Sequence, residues 1–148
     1  MKWLSLFLVV AQLTLLWLIA SPVTNLMPTT LATVVACVVI SLGIGIFLWA
    51  VICWQWGNLT AMPEPAQDGH LIDQGPYRYI RHPMYTALIV CGIGAAIGHG
   101  GAIKLFYLVL LCIILWAKLR REENLLTVAY PEYAEYMCRT KALIPLLV

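Results

Sequence analysis

The chain has 148 residues, of which 62% are hydrophobic and only 11% charged, with a formal net charge of +2 and a mean hydropathy of +0.87. A soluble domain of this size carries roughly a quarter charged residues, so water is excluded as the main solvent and a lipid bilayer takes its place. The small net charge and the absence of a concentrated basic face exclude a nucleic-acid-binding role. Five cysteines, at 37, 53, 91, 112 and 138, form no Cys-x-x-Cys pair. With His70, His82 and His99 isolated from one another, the sequence gives no metal-ligand spacing. No metal is expected.

In chain order, four apolar runs predict an all-α integral membrane protein. They span about 3–20, 31–54, 84–97 and 102–117. A bilayer core needs about 20 helical residues, so the third run is short. It either begins inside the polar segment before it or makes a tight hairpin with the fourth through Gly98-His-Gly-Gly101. The first run, preceded by Lys2 and followed by Ala20 and Ser21, also has features of a signal peptide. It is long for that role, and removing it would leave an odd number of spans. With four spans, Lys2, Arg78, Arg81, Lys118, Arg120, Arg121, Arg139 and Lys141 all fall on one side, and Lys104 alone on the other. The positive-inside rule then puts both termini in the cytoplasm. Residues 58–74 read as an irregular cytoplasmic loop. Residues 122–139, with apolar residues at helical spacing and a break at Pro131, read as one or two amphipathic helices lying on the cytoplasmic face.

Two polar clusters carry the chemistry. The first is Gly75-Pro-Tyr-Arg-Tyr-Ile-Arg-His-Pro-Met-Tyr85, at the mouth of the third span. Pro83 suits the first turn of a helix, which makes His82 its N-cap. The free N–H groups of that helix start favour an anion. Arg81 is suited to grip a carboxylate or phosphate with two parallel bonds, and Tyr85 reaches the same space. The bland alternative is an aromatic and basic belt at headgroup level, which needs no particular residue order. The second cluster, Lys118-Leu-Arg-Arg-Glu-Glu123, continues from the fourth span. Lys118 and Glu122 share a helix face, and Glu123 is turned about a quarter of the way round. A solvated, salt-bridged helix end is the bland reading of the acidic pair. The functional reading is a carboxylate that holds a cationic or hydroxyl-rich ligand.

The order Gly75-Pro-Tyr77, Arg81-His-Pro-Met-Tyr85, an apolar helix pair, Glu122-Glu123-x-Leu125, Pro131-Glu-Tyr-Ala-Glu-Tyr136 and Ile144-Pro145 resembles the isoprenylcysteine carboxyl methyltransferase and phospholipid methyltransferase family over about residues 69–145. The resemblance implies one membrane methyltransferase domain over residues 1–148, with site motifs at 69–85 and 118–136. It implies methyl transfer from S-adenosylmethionine to a lipid or lipidated acceptor, such as an isoprenylcysteine carboxylate or a phospholipid amine. The site would lie at the cytoplasmic face of a multi-pass protein, in the inner (cell) membrane if the source is bacterial. His70, Leu71, Ile72, Tyr77, His82, Pro83, Tyr85 and Glu122 correspond to cofactor contacts, and Lys118, with Arg121 near it, to acceptor contacts; Arg81 and Glu122 are the candidate catalytic residues. The chain departs from the family at Tyr130-Pro131, where a glycine is usual and the segment is one residue shorter. It also lacks the extra N-terminal spans of the eukaryotic carboxyl methyltransferases, so the identity of the acceptor does not transfer. Two other classes compete: a nicotinamide-dependent membrane reductase of the sterol type, which shares an Arg-His-Pro-x-Tyr motif, and a non-enzymatic membrane scaffold. The acidic pair at 122 and 123 favours the methyltransferase.

Overall fold

A computed structural model describes residues 2–22, 29–54 and 71–144. They form five α-helices: α1 (Lys2–Ala20), α2 (Thr30–Cys53), α3 (Pro83–His99), α4 (Ala102–Ala129) and α5 (Tyr133–Arg139), with one 3-10 turn at Gly75–Arg78. The expected all-α class holds. Among the described residues the only extended pairing is a single parallel bridge between Ile80 and Lys141. α1, α2 and α4 are long and apolar enough to cross a membrane. α3 is apolar but has 17 residues, about 25 Å of helix against a hydrocarbon core of about 30 Å.

Local sequence sets the helix ends. Thr29 caps α2 by accepting the Ala32 N–H on its hydroxyl at 3.2 Å, which satisfies one of the free donors of a helix start. Pro83 opens α3 at its first turn. Gly100 and Gly101, at φ 67° and 86°, make the reversal between α3 and α4, a conformation that a side chain disfavours. Both alternatives offered for the short third run therefore occur: the hairpin forms, and α3 begins at Pro83, inside the polar segment. α4 stops at Tyr130, whose extended backbone is what a following proline imposes on its predecessor.

Two boundaries differ from the sequence reading. The fourth apolar run was expected to end near 117, with residues 122–139 as separate surface helices. Instead α4 continues without a break to Ala129, and only α5 is a separate helix. No helix-breaking residue lies between Ala117 and Ala129; Lys, Arg, Glu and Leu all propagate a helix well. The first stop signal is Pro131.

The helices meet along two kinds of seam. α2 and α3 pack through small residues. A Cβ added to Gly94 would lie 3.0 Å from the Ile40 nitrogen and 3.1 Å from the Ala36 oxygen. One added to Gly43 would lie 3.0 Å from the Cys91 nitrogen and 3.1 Å from the Ala87 oxygen. The two backbones are therefore in contact, as small residues allow where lipid supplies no hydrophobic drive for association. α1 meets α4 through larger side chains. Ile19, Leu111 and Leu115 form a fully buried cluster with Leu15, Leu16, Tyr85, Leu88, Ile89, Ala95, Tyr107 and Leu108 packed against it. Lys104, fully buried in the first turn of α4, donates to the Leu18 carbonyl at 2.6 Å and also to the Ser21 carbonyl at the end of α1. A cation there satisfies orphaned carbonyls and complements the helix dipole. The outward faces of α1 and α2, with Trp3, Phe7, Trp17, Leu31, Val38 and Ile52, are exposed. An apolar surface this continuous suits lipid contact.

Candidate active site

Three chain segments converge at the start of α3. The segment Tyr79–His82 runs beside Lys141–Ala142. Arg81 N–H donates to the Lys141 carbonyl at 2.7 Å, His82 N–H to Ala142 at 3.0 Å, and Lys141 N–H to Tyr79 at 3.1 Å. Thr86 adds a hydroxyl bond to the Leu143 carbonyl at 2.7 Å. The C-terminal segment is thus strapped across the Arg-His-Pro motif. α5 is pinned to the 3-10 turn by the Tyr136 hydroxyl, which donates to the Tyr77 carbonyl at 2.6 Å. Burial, as the largest cause, raises the pKa of both Tyr77 and Tyr136 above the ordinary phenol value. Both are therefore protonated at physiological pH, and Tyr136 is available as a donor. Neighbouring Tyr136, Glu122 and Cys53 add to the shift at Tyr77.

Arg81 organises this region from within. Its Nε pairs with Glu123 Oε1 at 2.6 Å, the Glu123 side chain being buried and that of Arg81 nearly so. Its Nη1 donates to the carbonyls of Thr140 at 2.5 Å and Met137 at 3.3 Å. One guanidinium therefore ties α4 to the end of α5. The carboxylate that Arg81 was expected to grip belongs to its own chain. Glu123 is 5% exposed, so the solvated-end reading of the acidic pair is overturned for this residue. α4 is longer than expected and carries Glu123 inward under the C-terminal strap.

Glu122 is placed differently. Its side chain is a quarter exposed. The Tyr85 hydroxyl donates to its Oε2 at 2.7 Å, and His82 Nδ1 lies 3.7 Å from the same oxygen. The His82 and Tyr85 rings are stacked, 5.2 Å between centroids and 8° between planes. His82 is the N-cap of α3 but makes no side-chain capping bond. Its Nε2 is buried and has no hydrogen-bond partner among the described residues, although Glu123 Oε1 is 3.4 Å away. Lys118, one turn before Glu122, sets its ammonium 5.4 Å from the centroid of the Tyr85 ring. Its partner in hydrogen bonding is Gln12 Oε1 on α1, at 3.1 Å.

Of the residues singled out in the sequence, Arg81, His82, Pro83, Tyr85, Lys118 and Glu122 come together here. Leu71 and Ile72 are half-buried in the extended chain leading to the Gly75 turn. Arg121 points to the other side of Lys118, where its Nε donates to Ser5 Oγ on α1 at 3.2 Å. It lines a groove of about 400 Å³ between α1 and α4 with Leu4, Leu8, Ala117, Asn124 and Leu125. His70 lies outside the described residues. No group of three or more His, Cys, Asp or Glu side chains suited to a metal occurs among the described residues.

The region that carries this cluster also carries a recognisable relationship. The phospholipid methyltransferase family matches residues 31–133, from α2 to the first residue of α5. The chain belongs to the phospholipid methyltransferase family. It is also 34% identical, over 83 residues, to the cobalt-zinc-cadmium resistance protein CzcN of Cupriavidus metallidurans. That alignment takes in 55% of this chain and 38% of CzcN, so the chain matches about two fifths of that relative's length. α1 precedes the family match, and most of α5 and the C-terminal strap follow it.

Sequence reasoning missed Ser5, Gln12, Thr140 and the inward role of Glu123. Ser5 and Gln12 had a readable signal. They stand seven residues apart, in register with buried Ile19, in a helix that is otherwise almost wholly apolar. A polar side chain at such a position needs a partner. Thr140 contributes mainly its carbonyl oxygen, which no side-chain pattern reveals.

Proposed function

We propose that the protein is an S-adenosylmethionine-dependent methyltransferase acting on a lipid or lipidated acceptor, with one domain over residues 1–148. The observation that carries this reading is the half-open carboxylate of Glu122, held by Tyr85 and faced by His82, within the family-matched region. Methyl transfer from a sulfonium is an in-line displacement, so a protein accelerates it by positioning and by excluding water. S-adenosylmethionine supplies the activated methyl group when bound. Glu122 offers a carboxylate to a cationic or hydroxyl-bearing part of that cofactor, and the Tyr85 hydroxyl fixes which oxygen is presented. Buried His82 sets Nε2 3.4 Å from Glu123 Oε1 without a well-formed hydrogen bond, and beside it the Glu122 carboxylate is a quarter exposed, so the residues present fit such a group. Leu71, Ile72, Tyr77 and Pro83 form the remaining contacts in this reading; His70, the further cofactor residue implied by the family resemblance, lies outside the described residues. Arg81 acts by holding Glu123 and the strap in place. Lys118 and Arg121 are the acceptor contacts of this reading: Arg121 lines the α1–α4 groove along which the acceptor enters sideways, and Lys118 lies beside the Tyr85 ring.

In this reading α3 is the fourth membrane-spanning helix and both termini are cytoplasmic, with the site at the cytoplasmic interface of the inner membrane if the source is bacterial. Labelling of cysteines placed at positions 25 and 68 from the same side of the membrane would sink that topology.

Calorimetry on the detergent-solubilised chain tests the cofactor. S-adenosylhomocysteine should bind and NADPH should not. Glu122→Gln should weaken binding by about tenfold to a hundredfold, the loss of a charge-assisted hydrogen bond worth about 1.5–3 kcal/mol. NADPH binding with no affinity for S-adenosylhomocysteine would favour a reductase instead.

A further inference from the structure

We infer that Gln12, on the helix that precedes the family match, is a positioning residue: it fixes Lys118 over Tyr85 and through that ring sets the geometry at Glu122. The inference rests on the reading of the His82–Tyr85–Glu122 cluster as a cofactor site.

Lys118 is 7% exposed and Gln12 is 9% exposed. Among the described residues no carboxylate lies within 4.0 Å of Lys118; its contacts are the Gln12 oxygen and the Tyr85 ring. An ammonium has only donors, so the Gln12 amide must present its oxygen. The attraction between a cation and a ring face is broad in direction, and a lysine side chain has four rotatable bonds to restrain. The ring alone does not select one position for the ammonium. A carbonyl oxygen at 3.1 Å does.

The consequences pass along a continuous line of contacts. Lys118 sits over the Tyr85 ring, the same ring stacks on His82, and its hydroxyl binds Glu122. Moving Lys118 therefore changes the charge beside Tyr85 and the restraint on its hydroxyl. Thr14, the neighbouring polar residue of α1, shows what a polar residue does here without such a task. It is exposed and bonds back to the Val10 carbonyl of its own helix at 2.9 Å. Gln12 instead reaches across to α4. The competing explanation is that the pair only glues two helices together, as polar side chains do between membrane helices.

The test uses the full chain in phosphatidylcholine–phosphatidylglycerol nanodiscs, with ¹³C-labelled lysine. The sequence has four lysines, at 2, 104, 118 and 141, and the Lys118 signal is assigned by its loss in Lys118→Arg. The Tyr85 ring should displace the Lys118 ε-methylene resonance upfield. Gln12→Met, unbranched and of similar length, should return that resonance toward the position of exposed Lys141. It should also weaken S-adenosylhomocysteine binding by about threefold to tenfold. Gln12→Glu, which keeps an oxygen facing the ammonium, should retain both properties. If Gln12→Met does not fold, Gln12→Leu takes its place. An unmoved Lys118 resonance overturns the inference. So does a lowered unfolding temperature with unchanged S-adenosylhomocysteine affinity, since that is helix glue alone. Failure of the wild-type chain to bind S-adenosylhomocysteine overturns the site reading itself. It is told apart because the Lys118 resonance still responds to Gln12→Met.

Discussion

The α2–α3 seam and the polar face formed by α1, α4 and the C-terminal strap solve the same problem by opposite means. Along the first, Ala36, Ile40 and Gly43 meet Ala87, Cys91, Gly94 and Gly98, and the contact is backbone on backbone. Along the second, long charged side chains reach across: Lys104 to the end of α1, Lys118 to Gln12, Arg121 to Ser5, and Arg81 to Glu123 and Thr140. A seam of small residues has no atoms to spare for chemistry. A seam of cations and carboxylates does, and the candidate site is built on it. The comparison suggests that α2 and α3 form a stiff support, while the polar face combines holding the fold with holding a ligand.

The comparison can be broken most severely at Arg81. Arg81→Leu removes the partner of a buried carboxylate and frees the end of α5. Removing one member of a buried ion pair typically costs about 3–5 kcal/mol. The measurable outcome is a large fall in unfolding temperature, or no folded protein. Protection of the 133–144 backbone amides from hydrogen exchange should be lost first. Unchanged protection there would mean that the strap is held by other contacts.

The small-residue seam should be the next most sensitive. Gly94→Val drives side-chain atoms into the backbone of Ile40 and Ala36, and overpacking of this kind costs about 1–3 kcal/mol. Gly45 provides the internal comparison, because an added Cβ there meets nothing within 4 Å. Gly45→Ala should be neutral or stabilise by up to about 1 kcal/mol, since alanine is the better helix former. Equal destabilisation by both would argue against a close α2–α3 contact.

Lys104→Met should cost somewhat less, about 1–2 kcal/mol, because it takes a cation from a helix C-terminus while also relieving the burial of a charge. Its effect should appear as faster hydrogen exchange at the end of α1, with S-adenosylhomocysteine affinity unaltered. The smallest effect belongs to Tyr85→Phe. The ring still stacks on His82, and only the hydroxyl bond to Glu122 is lost, about 0.5–1.5 kcal/mol. That loss should be read in S-adenosylhomocysteine affinity and scarcely in unfolding temperature. Were Tyr85→Phe to destabilise the fold instead, the distinction between holding and binding on this face would fail.

The sequence by itself determined the class, the apolar runs, the α3–α4 hairpin and the two polar clusters. Each follows from local rules: hydropathy over about 20 residues, paired glycines at a reversal, proline at a helix start. The order of motifs was enough to indicate the family. Tertiary structure alone decided what the charged residues do with one another. Spacing puts Glu122 on the helix face of Lys118 and Glu123 a quarter turn away, but nothing local says which of the two is buried. The rotation of α4 turns Glu123 inward to Arg81 and leaves Glu122 a quarter exposed beside Tyr85. The extent of α4 was misjudged because hydropathy falls at 117 while helix propensity does not. Gln12 and Ser5 looked like minor interruptions of an apolar helix. Their seven-residue spacing marks a shared helix face, but their partners, Lys118 and Arg121, more than a hundred residues away, come only from the tertiary structure. In a membrane protein the apolar pattern is local and strong, whereas the polar partnerships are long-range and depend on helix rotation. That is why the architecture was legible and the wiring of the site was not.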